Sequence, residues 1–145
     1  MKKLEYQVEI NAAAEKVWNT MLQPATYQQW TQVSWPGSLY EGKWEQGEEI
    51  RFVSANGSGI LAVVQELIPL TYLSLEHMAV LLPGGIADSS EAVKIWIGTL
   101  ERYRFNSSGK NTILTVEIIT NPACADMFDE GWPKALDKLK ELSEQ

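Results

Sequence analysis

The stretch that closes this chain, Asp129 to Leu142, constrains its fold more than any other. Phe128, Trp132, Leu136, Leu139 and Leu142 recur at steps of four, four, three and three. That spacing puts them on one stripe of an α-helix. Asp137, Lys138, Lys140 and Glu141 fall on the other face. Gly131 and Pro133 lie inside the pattern, where glycine costs about 1 kcal/mol and an interior proline about 3. The expectation is a helix that starts or bends at this point. A single amphipathic helix needs a large apolar surface to cover, and the middle of the chain supplies one.

Leu4, Tyr6, Val8 and Ile10 alternate with polar residues, the period of a half-buried strand. Asn11 offers an N-cap to a helix over Ala12 to Leu22, with Val17, Trp18, Met21 and Leu22 on one side. Pro24 opens a second short helix through Tyr27 to Trp30, and Ser34 to Ser38 reads as a loop. Strands are then expected over Tyr40 to Trp44, Glu48 to Ser54, Ser58 to Leu67 and Tyr72 to Met78. Gln46-Gly47, Asn56-Gly57 and Pro69 separate them. Ala79 to Lys94 reads as a long connection. Ile95 to Phe105 and Thr112 to Thr120 form a last hairpin around Ser107-Ser108-Gly109-Lys110. One strand, two helices, about six consecutive strands and a long helix give an antiparallel α+β class.

At 145 residues the chain fits one domain, 1–145. Such a domain buries roughly 70% of its unfolded surface. No apolar run approaches the ~20 residues that cross a bilayer. Lys2 and Lys3 are followed by Glu5, Gln7 and Glu9 rather than a signal-like apolar stretch, so a cytoplasmic location is expected. A formal charge of −7 argues against nucleic acid as a partner. Cys124 is the only cysteine and His77 the only histidine. No metal site and no cofactor are expected from that set.

This order of elements, with the residues at its corners, resembles the START/Bet v 1-like helix-grip superfamily (SRPBCC). Within it the chain is most similar to domains related to the activator of the Hsp90 ATPase (AHSA1-like). Ile10-Asn11-Ala12-Ala13-Ala14-Glu15-Lys16-Val17-Trp18 looks like that family's first strand turning into its first helix. Gln46 to Phe52 resembles its glycine turn into the third strand, and Val64 to Leu73 its proline-broken hairpin. Glu130-Gly131-Trp132-Pro133 looks like the opening of its closing helix. The resemblance implies a curved antiparallel sheet of about six or seven strands wrapped around the C-terminal helix, with a cavity between them. It implies small apolar ligands as the commonest function, with some members acting as enzymes and others as chaperone partners.

Strand parity supplies an inward list for such a cavity. Ile50 and Phe52 share a face, as do Leu73, Leu75 and His77. Ile97, Thr99, Glu101 and Tyr103 form another set, and Leu114, Val116 and Ile118 the last. Among the six tryptophans, Trp30 and Trp35 bracket the loop beside the expected cavity mouth, while Trp18 and Trp132 sit on helix faces. Trp96 has the opposite parity to the inward set, which puts it outside. The pocket candidates are therefore Trp30, Trp35, Phe52, Leu75, His77, Glu101, Tyr103, Val116, Phe128 and Trp132. Each also has a plainer reading as core filling. The bulk of the aromatic residues favours a small or divided pocket over a lipid-sized one.

The reading that follows is a non-catalytic domain holding a small apolar or aromatic molecule between sheet and C-terminal helix. One alternative is an interaction module for a chaperone or other protein, motivated by the acidic surface and by an outward Trp44 or Trp96. A second is a cyclase- or hydratase-like enzyme using His77 with Glu101 or Tyr103, because a buried imidazole and carboxylate shift each other's ionisation. The plainer account of His77 is a hydrogen-bonded structural residue. No nucleophile is visibly partnered, so no catalytic residue is assigned.

Overall fold

The closing helix, α3, spans Ala125–Ser143 and buries every member of its predicted stripe. A computed structural model describes all residues, 1–145. Five large side chains on the stripe, each worth about 1.5–3 kcal/mol when buried, outweigh the cost of Gly131 and Pro133. The helix accordingly starts six residues before Gly131 and runs through both, which corrects the expected start there. Gly131 has a packing reason. A β-carbon at that position would lie 2.8 Å from the Trp35 ring, and the Ser34 hydroxyl donates to the Gly131 carbonyl at 2.6 Å.

Around α3 the chain builds β1 (Lys2–Ile10), α1 (Ala14–Leu22), α2 (Pro24–Gln32), β2 (Leu39–Glu41), β3 (Glu49–Val53) and β4 (Gly59–Ile68). Next come β5 (Tyr72–Leu82), the two-residue β6 (Ile86–Ala87), β7 (Leu100–Ser108) and β8 (Asn111–Thr120). The order β1-β8-β7-β5-β4-β3-β2, with β6 on the side of β5, makes one antiparallel sheet. Its inner face carries Ile50, Ala62, Val64, Leu73, Leu75 and Tyr103 into a core shared with α1, α2 and α3. α3 packs against β1 and both shorter helices. The predicted α+β architecture, a curved sheet around a C-terminal helix with two short helices after the first strand, is the one observed. The added strand is β6.

Several boundaries move, each for a local reason. Asn11 does not cap α1: the N-cap is Ala13, without a side-chain bond. The Asn11 amide instead donates to Glu144 at 2.8 Å, tying the end of α3 to the first corner. The stretch from Ala79 to Lys94 is not a free connection. β5 continues to Leu82 and folds back through Pro83-Gly84-Gly85 into β6, after which Glu91–Trp96 forms a 3-10 helix. Its Gly84 amide donates to the Asn56 carbonyl at 2.7 Å, so this hairpin leans on the β3–β4 turn. β7 begins only at Leu100. β2 ends at Glu41 rather than Trp44. The break is at Gly42, whose φ of 127° and close approach to the Glu49 carbonyl, 2.5 Å from a notional β-carbon, admit only glycine.

One irregularity sets the inner wall. Ala62 pairs with His77 and Leu61 with Ala79, so Met78 is an extra residue on β5. A bulge of this kind reverses the alternation beyond it. Val80, not Ala79, therefore faces inward beside its partner Ile60, and Met78 is exposed.

Candidate functional site: an aromatic cavity with one polar pole

Between the inner sheet face, α2 with the loop after it, and the first turns of α3 lies a partly open cavity of about 370 Å³. Of the two expected alternatives, a small or a divided pocket, this volume corresponds to the small one. Its size falls within the range of small-molecule sites. The helical step of Tyr27, Trp30 and Thr31 turns α2 toward it, and Trp30 is fixed by a 3.0 Å bond from its Nε1 to the Met21 carbonyl. From α3 come Phe128 and Trp132. Trp132 is the hub of the wall: Trp35, Tyr103, Trp30 and Tyr6 surround it with ring centroids 5.4, 5.9, 6.0 and 6.5 Å away. Edge-to-face and tilted pairs like these stabilise by about 0.5–1.5 kcal/mol each beyond their buried area.

The polar pole comes from two neighbouring strands. β5 and β7 pair Leu75 with Glu101 and Leu73 with Tyr103, which brings His77 diagonally onto Glu101. The His77 Nε2 lies 2.8 Å from Oε1 of Glu101, and the Tyr103 hydroxyl donates to Oε2 at 2.5 Å. Burial pushes the Glu101 carboxyl up, but the His77 charge and the two hydrogen bonds prevail and hold it below the ordinary carboxylate range. An ionised carboxylate only accepts, so the proton in the His77–Glu101 bond sits on Nε2. Nδ1 of His77 is buried with no partner, as are the indole nitrogens of Trp44 and Trp132. Tyr103 is raised well above its usual value, first by burial and then by the Glu101 charge. The Tyr27 and Ser38 hydroxyls, 3.2 Å apart, and Thr31, whose hydroxyl donates to the Tyr27 carbonyl at 2.7 Å, complete the polar part of the lining. No lysine or arginine lines the cavity.

Nine of the ten predicted pocket residues line this space: Trp30, Trp35, Phe52, Leu75 and His77, with Glu101, Tyr103, Phe128 and Trp132. Val116 does not, and is a correction. It is fully buried between Tyr6 and Tyr103 on the neighbouring strands, and both of those rings pack on Trp132, so α3 closes over β8 there. Trp44 and Trp96, read as candidates for the outer surface, also line the cavity. Strand parity misplaced Trp96 because that residue ends a 3-10 helix and is not in a strand at all. Trp44 follows the Gly42 bend and packs on Tyr40 and Phe52 at 5.2 and 5.9 Å. Both are half-buried at the cavity rather than fully outward.

The comparisons with known proteins agree with this architecture. The family model described as "Activator of Hsp90 ATPase homolog 1-like protein" matches residues 11–144. Among curated sequences no match is found. Among solved structures, protein MLL2253 from Mesorhizobium loti is similar at 17% identity and TM-score 0.76, over 97% of this chain and 96% of that one. The Aha1 dimer from Colwellia psychrerythraea is similar at 20% identity and TM-score 0.73, over 99% and 97%. DynU16, described as a putative protein in the dynemicin biosynthetic locus, is similar at 14% identity and TM-score 0.73, over 97% of this chain and 46% of that one. At these identities the solved structures speak for the fold alone. With 11–144 matched by one family model and the curved sheet closed on α3, the chain belongs to the Activator of Hsp90 ATPase homolog 1-like family of the helix-grip superfamily.

Proposed function

We propose that this domain binds a small apolar or aromatic molecule in the cavity between the sheet and α3. The observation that carries the reading is a space of about 370 Å³ walled by tryptophan, tyrosine and phenylalanine, with His77, Glu101 and Tyr103 hydrogen-bonded together in its wall. An engineered apolar cavity of about 150 Å³ takes up benzene, so this one suits a body of two or three rings. The likeness to a protein of the dynemicin biosynthetic locus is in keeping with small-molecule work. No helix is long and apolar enough to cross a membrane, and we place the activity in the cytoplasm. Titration of the intrinsic tryptophan fluorescence against a panel of fatty acids and aromatic compounds tests the reading. Saturable quenching by at least one ring compound is expected; silence across the panel removes it.

A second reading has one specific observation behind it. His77 and Glu101 are within hydrogen-bond distance at the cavity wall, a pairing in which a carboxylate orients an imidazole as in acid–base sites. Its test is product analysis by mass spectrometry after incubating parent and His77→Asn protein with hydroxylated aromatic compounds. Conversion by the parent alone supports an enzyme; conversion by neither excludes one for those compounds.

A further inference from the structure

We infer that the ligand is an uncharged molecule whose aromatic body carries a hydroxyl group, and that the cavity discriminates against carboxylic acids of the same shape. The inference rests on the binding reading above and adds the chemistry of the ligand's polar end. Its first support is the composition of the wall. The only charged or chargeable groups at the cavity are Glu101, His77 and the phenols Tyr27 and Tyr103, and neither lysine nor arginine reaches it. His77 is the sole candidate counter-ion for an incoming anion; its Nε2 is already committed to Glu101 at 2.8 Å, and its unpartnered Nδ1 is buried out of contact with the open space. A ligand carboxylate would lose its water without gaining a cation, beside an existing carboxylate.

The second support is the supply of hydrogen bonds left at the pole. Each Glu101 oxygen has one donor, from His77 or Tyr103. A carboxylate has about four acceptor sites in all, so Glu101 retains capacity for a further donor. The Tyr103 oxygen donates its proton to Glu101 and keeps an acceptor site. Of Tyr27 and Ser38, one hydroxyl donates to the other, which leaves the second proton free for a ligand oxygen. The pole thus asks for a group that can both donate and accept. A hydroxyl does both, and an ionised acid can only accept. The aromatic rings around it, with Trp132 at their centre, suit a flat apolar body.

Calorimetric titration of the full chain near neutral pH with naphthol, naphthoate and naphthalene separates the terms, since the three share one ring system. Naphthol is expected to bind about 5- to 10-fold more tightly than naphthalene, the worth of one net hydrogen bond. Naphthoate is expected to bind at least about 30-fold more weakly than naphthol. In Glu101→Gln protein that preference should shrink several-fold, and because the parent comparison needs no variant, a folding defect in Glu101→Gln does not decide the question. Naphthoate binding as tightly as naphthol overturns the inference and leaves cavity binding standing. Failure of all three to bind overturns both.

Discussion

Glu101 is a carboxylate held ionised in a wall that is otherwise almost wholly apolar. Its folded-state pKa lies below its ordinary 4.5, so the folded protein binds fewer protons there than the unfolded chain. The stabilisation is therefore complete above about pH 4.5 and fades as pH falls through the lower, folded value. Glu101→Gln should cost about 1.5–3 kcal/mol at neutral pH, the range for hydrogen bonds to a charged group. The gap between parent and variant should narrow as acid titrates the carboxyl, and denaturant unfolding at a series of pH values measures it; a gap that widens in acid contradicts the assignment. Gly131 separates packing from propensity. In Gly131→Ala the gain of about 1 kcal/mol in helix propensity opposes a contact of 2.8 Å with the Trp35 ring. Unfolding free energy is expected to change by less than about 1 kcal/mol, while affinity for a ring compound falls several-fold because Trp35 must leave its place in the cavity wall. Unchanged affinity would show that Trp35 is not part of the site.

At the scale of elements, α3 is the support on which everything else closes. Leu139 is completely buried on its stripe, and Leu139→Ala is expected to destabilise by about 2–5 kcal/mol, read from the shift in denaturation midpoint. Pro133 lies in the same helix, next to Trp132, and its missing N–H leaves the helix short of a bond. Pro133→Ala should change the rate of ligand association more than it changes the fold; stopped-flow rates equal to the parent's would refute this. The same scale explains how much was legible in the sequence. Regular period-two pairing put Phe52, Leu75, His77, Glu101 and Tyr103 on the correct face, and the 3.6-residue stripe of α3 was complete. Parity failed at the 3-10 helix carrying Trp96, and it was not applied to Val80, which lies past the Met78 bulge in the stretch read as a connection. Tyr27 was recoverable, since Tyr27, Trp30 and Thr31 share a helical face. No local pattern announces that Gly42 bends Trp44 into the cavity. Val116 shows the converse limit, because facing inward does not say whether a helix covers the position.

For the molecule as a whole, the cavity is a large element of the energy balance. Were its roughly 370 Å³ dry and sealed, the scale of about 24 cal/mol per Å³ would imply close to 9 kcal/mol of lost stability. That is comparable to the total for a typical domain, so the space is kept as an opening to solvent that a ligand can fill. At a ligand concentration about 100 times Kd the gain is about 2.7 kcal/mol. For a chain of this size that raises Tm by roughly 5–10 °C, a shift that differential scanning calorimetry should detect with naphthol. The central claim is that the ligand sits inside the sheet–helix cavity, and the tryptophans provide its most direct test. Five of the six, Trp30, Trp35, Trp44, Trp96 and Trp132, line the cavity. Trp18 packs instead on Phe105 at 5.1 Å, outside the lining. In an NMR titration with naphthol the five indole N–H resonances are predicted to shift with one common Kd while that of Trp18 stays in place. Shifts confined to Trp18 or to the outer face of the sheet, with the five unmoved, would contradict the account.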